Sequence, residues 1–229
     1  MLATALLPTS VLAAADLTTM AQQALAGDVS AVKTLRAAGP PGLEALLKLA
    51  GAEPALASSP IFNAALDAVC AQKDCASAHL FWYTDLDAAR AEAKRSGRPI
   101  LSLRLLGRLD EELSCANSRF FRTVLYANVS VSQALREHFV LHWQSERPVP
   151  KVTIDFGDGR RLVGTVTGNS IHYILDSNGR LIDALPGLYG PAAFLRHLGV
   201  AGDEARSLAA VSGKAFTEGL RNYHAARLG

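Results

Sequence analysis

The 229-residue chain is 49% hydrophobic and 19% charged, which supplies one full core with material left for a smaller appended unit. Its formal net charge of +2 comes from acidic and basic residues that are interspersed, so neither a nucleic-acid-binding face nor an acidic tail for a cationic partner is indicated. After the first fifteen residues, arginine, aspartate or glycine interrupts every apolar run before it could span a bilayer.

Residues Leu2 to Ala14 are apolar, contain Pro8, and end in Ala13, Ala14 and Ala15 before Asp16. This reads as the apolar region and cleavage site of an export signal over residues 1–15. No Lys or Arg precedes the run, the first being Lys33, so a buried first helix broken by Pro8 is the other reading. Export, to the periplasm or outside the cell, would place the three cysteines where disulfides persist.

Residues 16–76 are rich in Ala and Leu and are punctuated by Gly27-Asp28, Gly39-Pro40-Pro41-Gly42 and Ser58-Ser59-Pro60. Between the breaks, Val32 and Leu35, then Leu43, Leu46 and Leu47, then Ile61, Ala65, Leu66 and Val69 recur at helical spacing. The pattern predicts short packed helices, either of the HEAT-repeat kind or a plain helical cap, and offers a surface for a protein partner.

From His79 the pattern changes. Leu80 to Tyr83 predicts a short aromatic strand. Thr84 or Asp85 caps a helix that ends at Gly97, and Ile100 to Leu106 predicts a buried strand, completing a β–α–β unit. Ser114-Cys115 opens a helix through Tyr126, Val131 to His138 forms another, and Phe139 to Trp143 a strand. Gly157-Asp158-Gly159 joins Val152–Phe156 to Arg161–Val166 as a hairpin. Ile171–Leu175 turns at Ser177-Asn178-Gly179 into Leu181-Ile182, and Pro191 to Leu198 closes the domain. A helical tail over residues 201–229 presents Leu208, Val211, Phe216 and Leu220 for docking.

The runs WYTDLDAARAEAKRSGRPILSL, SCANSRFFRTVLYANVSVSQALREHFVLHW and YILDSNGRLIDALPG, in this order, resemble the thioredoxin superfamily, particularly its exported members. The resemblance implies an α/β fold over residues 79–200: a thioredoxin-like three-layer sandwich on a mixed central sheet, with the helical region before it and the tail after it. It also implies that the C-x-x-C active site at the helix start corresponds to Cys115-Ala116-Asn117-Ser118, with serine in the second cysteine's place. The family's cis-proline, whose backbone helps hold a substrate peptide, falls at Ser170 in Gly168-Asn169-Ser170. A trans bond is expected there, because a cis bond before a non-proline residue costs about 3 kcal/mol. Asn169 and Ser170 are thus the expected substrate-binding pair.

A thiol at a helix N-terminus meets free N–H groups and the positive end of the helix dipole. Ser118 is placed to donate a hydrogen bond to the sulfur, Arg119 and Arg122 to add positive charge, and Asp110, Glu111 and Glu112 to oppose them. Cys115 and Ser118 are therefore the candidate catalytic residues of monothiol exchange with protein or small-molecule thiols and disulfides, or of redox sensing. Without a neighbouring resolving cysteine, a mixed disulfide at Cys115 persists until an outside thiol releases it. The alternative is a non-catalytic binding or scaffold module that presents the helical region and the hairpin Val152–Val166 to a partner. Cys70 and Cys75 are expected to form a structural disulfide at the junction, with a resolving role for one of them as the other possibility.

No cofactor and no metal are expected. His138 and His142 have i,i+4 spacing, but His142 falls on a predicted strand, and Asp155 and Asp158 lack the spacing of a calcium loop. No Gly-x-Ser-x-Gly nucleophile elbow occurs.

Overall fold

The computed structural model describes residues 14–228. The expected export signal lies outside them, apart from Ala14 and Ala15, which begin the first helix. The chain divides into two compact units, one ending at Val69 and one starting at Cys70. Among the described residues no helix is long and apolar enough to cross a membrane.

The first unit is helical: α1 (Ala14–Leu25), α2 (Val29–Ala37), α3 (Pro40–Ala52), α4 (Pro54–Ala57) and most of α5 (Pro60–Cys70). Three of these helices open on proline, whose fixed φ suits a first turn and whose missing N–H would have no partner there. Asp28 caps α2 by accepting the N–H groups of Ser30 at 2.7 Å and Ala31 at 3.3 Å. Leu17, Leu35, Leu43, Leu46, Phe62 and Leu66 are buried. Gly42 lies against the Leu35 carbonyl, where any Cβ would collide, so glycine there sets how closely α3 approaches α2.

The second unit is α/β. Its five-stranded mixed sheet has the order β1 (Trp82–Tyr83), β3 (Val140–Arg147), β2 (Ile100–Leu106), β6 (Ser170–Leu175), β7 (Leu181–Pro186). β1, β3 and β2 run parallel, and β6 and β7 are antiparallel to their neighbours. Central β2 has one wholly apolar face, Leu101, Leu103 and Leu105, while its other face mixes Ile100 and Leu106 with buried Ser102 and half-buried Arg104. Leu101, Leu103 and Leu105 join the main core with Leu141, Trp143, Ile174 and Phe194. Ile100 and Val140 point the other way, against Ala89 and Ala93 of α6 (Leu86–Ser96). Asp85 is the cap of α6, accepting the Ala88 N–H at 2.7 Å, and Gly97 ends it at φ 70°.

After β2 the chain forms α7 (Ala116–Phe120), which passes without a break into a π-helical turn over Phe121–Leu125, and then α8 (Val129–His138). The single helix expected from Ser114 to Tyr126 is thus two kinds of helix, with Phe121, Arg122 and Leu125 buried. Between β3 and β6 stands a separate two-stranded sheet of β4 (Lys151–Asp155) and β5 (Arg161–Thr165). The expected hairpins at 152–166 and 171–182 both form.

The expected strand Leu80–Tyr83 is shorter, paired only at Trp82 and Tyr83. The closing helix does not stop at Leu198: α9 runs from Pro191 to Ala209. Its buried stripe of Phe194, Leu198, Ala201, Ala205 and Leu208 continues at helical spacing across the expected break. Gly199 and Gly202 do not interrupt it, because packing of that stripe outweighs about 1 kcal/mol of glycine propensity per residue. The tail helix is α10 (Gly213–Ala226). Leu208 is buried and Phe216 and Leu220 pack against the core, whereas Val211 lies in the exposed joint.

The β6–β7 turn is fastened to this joint. Buried Asp176 accepts the N–H groups of Asn178 at 2.9 Å and Arg180 at 2.8 Å, and the Arg180 Nε at 2.7 Å. The same guanidinium donates to the Leu208 and Val211 carbonyls and lies 3.8 Å over the Phe216 ring.

Candidate functional site

Cys115 is the N-cap of α7. Its sulfur accepts the Ser118 backbone N–H at 3.4 Å, the position a serine or aspartate oxygen commonly takes. The sulfur also donates to the Asn169 carbonyl at 3.8 Å, a bond that needs its proton. Cys115 is 0% exposed and packs with Leu106 and Val149. The Ser118 hydroxyl, expected to support the sulfur, is buried with no hydrogen-bond partner among the described residues.

Four of the charges expected to compete over the thiol, Arg119, Arg122, Asp110 and Glu111, are engaged elsewhere. Arg119 donates to the Ser114 carbonyl at 3.0 Å and the Thr165 hydroxyl at 2.6 Å. Arg122 is 3.1 Å from Asp74 and also reaches the Glu112 carbonyl and the Ser114 hydroxyl. Arg108 pairs with Asp110 and Glu111. The polar residues of this loop therefore hold the loop in shape.

Residues 165–170 lie across the start of α7 as a strap. The Ala116 N–H donates to the Thr167 carbonyl at 3.1 Å, Asn117 Nδ2 to the Ser170 hydroxyl at 2.9 Å, and the Thr165 hydroxyl to the Ser114 carbonyl at 2.9 Å. Gly168 sits so close to the Asn117 side chain that a Cβ would overlap it. Asn169 and Ser170 are thus brought to Cys115, but as its cover. Among the described residues no peptide bond is cis. The chain matches no protein-family model, no curated protein and no solved structure.

On the open side of Asn169 and Ser170 lies a cleft of about 230 Å³, lined by Arg104, Leu105, Leu106, Glu146, Arg147 and Ile171 as well as that pair. Arg104 Nη1 donates to Glu146 Oε1 at 3.0 Å, so the cleft carries a partly neutralised pair beside exposed Arg147. Cys115 does not line it. A small polar ligand seated there would meet Asn169 but not the sulfur.

Cys70 and Cys75 are bonded to each other, with their Cα atoms 6.4 Å apart. The bond closes the segment that carries Ala71 and Gln72, which accept the two buried indole N–H groups: Trp143 to the Ala71 carbonyl at 2.8 Å and Trp82 to Gln72 Oε1 at 2.6 Å. His138 is an exposed residue at the end of α8, while buried His142 shares a 2.8 Å hydrogen bond with Ser102. Asn117, Thr165 and Gly168 carry no assigned role in the sequence. Glycine directly before the Asn169-Ser170 pair was the available signal, since glycine marks close backbone approach.

Proposed function

We propose that the second unit is a thioredoxin-like scaffold that binds a partner protein, working in an oxidising compartment, periplasmic or outside the cell. The fold reading is supported by the sheet order, by parallel β1, β3 and β2 followed by antiparallel β6 and β7, and by a cysteine at the first helical turn after β2. The compartment is supported by the Cys70–Cys75 bond. The observation that carries the non-catalytic role is the fully covered sulfur of Cys115, bonded within the chain on both sides and strapped by residues 165–170. The partner surface is the apolar face of the β4–β5 hairpin, where Val152, Ile154, Phe156 and Leu162 are exposed.

Monothiol exchange is the second reading, favoured by the N–H that Ser118 directs at the sulfur. In it the strap lifts, the Cys115 thiolate attacks one sulfur of a disulfide and expels the other as thiolate, and an outside thiol resolves the mixed disulfide. Alkylation of the oxidised, folded protein separates the two. We expect iodoacetamide to label Cys115 only in denaturant across about pH 6 to 9. Rapid labelling of the native protein, with a rate that levels off as pH rises, would overturn the scaffold reading and establish the thiol as reactive.

A further inference from the structure

The β4–β5 hairpin is amphipathic in a way its own chain does not use. With alternate residues on opposite faces, Val152, Ile154, Phe156, Leu162 and Val166 share one side, each 40–56% exposed. Lys151, Thr153, Asp155, Arg161 and Thr165 occupy the other, where exposed Val163 is the one apolar residue. A lone two-stranded hairpin in water is marginal. Among the described residues β4 pairs with β5 alone.

The direction of the unused backbone groups follows from the bonds at either end of the hairpin. The Phe156 N–H donates to the Arg160 carbonyl at 3.1 Å and the Val166 N–H to the Pro150 carbonyl at 3.3 Å. With Val152 opposite Gly164 and Ile154 opposite Leu162, the even-numbered residues of β4 turn their N–H and C=O groups toward β5. Those of Lys151, Thr153 and Asp155 point away from it. At the end of the opposite edge, the Thr165 side chain of β5 is held against the start of α7, its hydroxyl donating to the Ser114 carbonyl and accepting from Arg119.

We propose that this outer edge of β4 pairs with the same edge of a second copy of the chain, antiparallel about a two-fold axis at Thr153. That register sets Thr153 opposite Thr153 and, on either side, Lys151 opposite Asp155 of the partner copy. These are the residues whose backbone groups point outward, so each opposed pair exchanges two N–H···O=C bonds. Val152 falls opposite Ile154 in the closer, non-hydrogen-bonded positions, which extends the apolar face across both copies. Opposite charges, paired threonines and paired β-branched residues are all favourable cross-strand neighbours. Such a contact is isologous and closes on itself. Charge complementarity picks out this occupant, since Lys151 and Asp155 sit at equal distances from Thr153 and carry opposite signs. The inference uses the edge of β4 rather than the cover of Cys115, so it stands whether or not the scaffold reading does.

Analytical ultracentrifugation of the full chain, up to about 200 µM, tests it. The wild type is expected to dimerise. Thr153→Pro removes an N–H that β5 does not use, so the hairpin stays while the dimer is lost. Lys151→Asp and Asp155→Lys each set like charges opposite each other twice, and each should weaken self-association by about tenfold. Mixing these two variants restores opposite charges at both positions, and a heterodimer tighter than either homodimer should form. Asp155 also accepts Arg161 at 2.8 Å and the Gly157 N–H at 2.9 Å. Arg161→Gln, which loses the same intrachain pair, should leave the dimer intact. A wild type that stays monomeric throughout overturns the proposal. So does a dimer indifferent to Thr153→Pro, which would mean stacking through the apolar face, and so does a mixture no tighter than its components.

Discussion

His172 is a histidine inside an aromatic core, with the rings of Phe121 and Phe194 centred 4.8 and 5.1 Å from its own. Its Nε2 shares a 2.7 Å hydrogen bond with the Tyr126 hydroxyl, and its Nδ1 has no partner among the described residues. Burial pushes its pKa from 6.5 down to about 3 and pushes Tyr126 well up. His142 is lowered to about 4, by burial first and then by Arg104, against the pull of Asp85. Both histidines stay neutral in the fold and take up a proton more readily once unfolded. Stability is therefore full above pH 6.5 and falls as pH drops through that value, by about 1.4 kcal/mol per pH unit for each histidine until its folded pKa is reached. Urea denaturation at a series of pH values should show the decline. Tyr126→Phe alone should cost about 1–3 kcal/mol by orphaning a buried ring nitrogen. Replacing both Tyr126 and His172 by phenylalanine should cost less than that single change and make the acid decline shallower. A pH-independent stability between pH 7 and about 5 would count against this account. The sequence marked Tyr126 as a helix end and gave no sign of its partner, because the two meet across 46 positions and only the folded sheet brings them together.

The strap over α7 is where local sequence rules stop short. Cys115 at a helix start was legible from Ser114-Cys115 and the residues that follow, and so were a cap for α6 at Thr84 or Asp85 and its end at Gly97. That residues 165–170 would bond back onto Ala116 and Asn117 was not legible, since no local periodicity encodes a contact between a loop and a helix start. The cysteine pair was readable for a different reason: five residues of separation leave Cys70 and Cys75 near each other whatever the rest of the chain does. The strap is testable at Gly168. Gly168→Val has to displace the buried Asn117 amide, and overpacking of this kind costs about 1–3 kcal/mol. We expect the variant to be less stable and its Cys115 to become accessible to iodoacetamide in the folded state. Gly164 has open space around its missing Cβ, so Gly164→Ala should leave the sulfur covered. Equal labelling of the two variants would mean that something other than the strap seals Cys115. The break expected after Leu198 fails for the opposite reason, because a stripe of buried side chains carries α9 through two glycines.

For the molecule as a whole, composition shifts in the sequence place a boundary between residues 76 and 79, and the compact units divide at Val69. The discrepancy has a physical source in Ala71 and Gln72, whose oxygens serve the indoles of Trp143 and Trp82. Those are the only tryptophans in the chain, so fluorescence reports on the second unit alone. A fragment over residues 70–229 should keep buried-tryptophan emission and unfold cooperatively. One over residues 78–229 loses both acceptors, and each orphaned indole N–H costs about 1–3 kcal/mol; its emission should shift to the red. Indistinguishable fragments would put the boundary back where the composition suggests.

The Arg180 guanidinium also decides how the chain meets mechanical load. It joins the last turn of the sheet to the carbonyls of Leu208 and Val211 and to the Phe216 ring, so tension applied at the C-terminal end does not reach β7 through the backbone of α9 alone. The pull is met first by the side chains of α10, where Tyr223 holds Asp183 at 2.6 Å and His224 lies 3.0 Å from the Ile182 carbonyl. Once α10 peels away, Arg180 still ties the end of α9 to the buried Asp176 carboxylate. The sheet is therefore shielded from a tug on its tail by two successive fasteners, the outer one sacrificial.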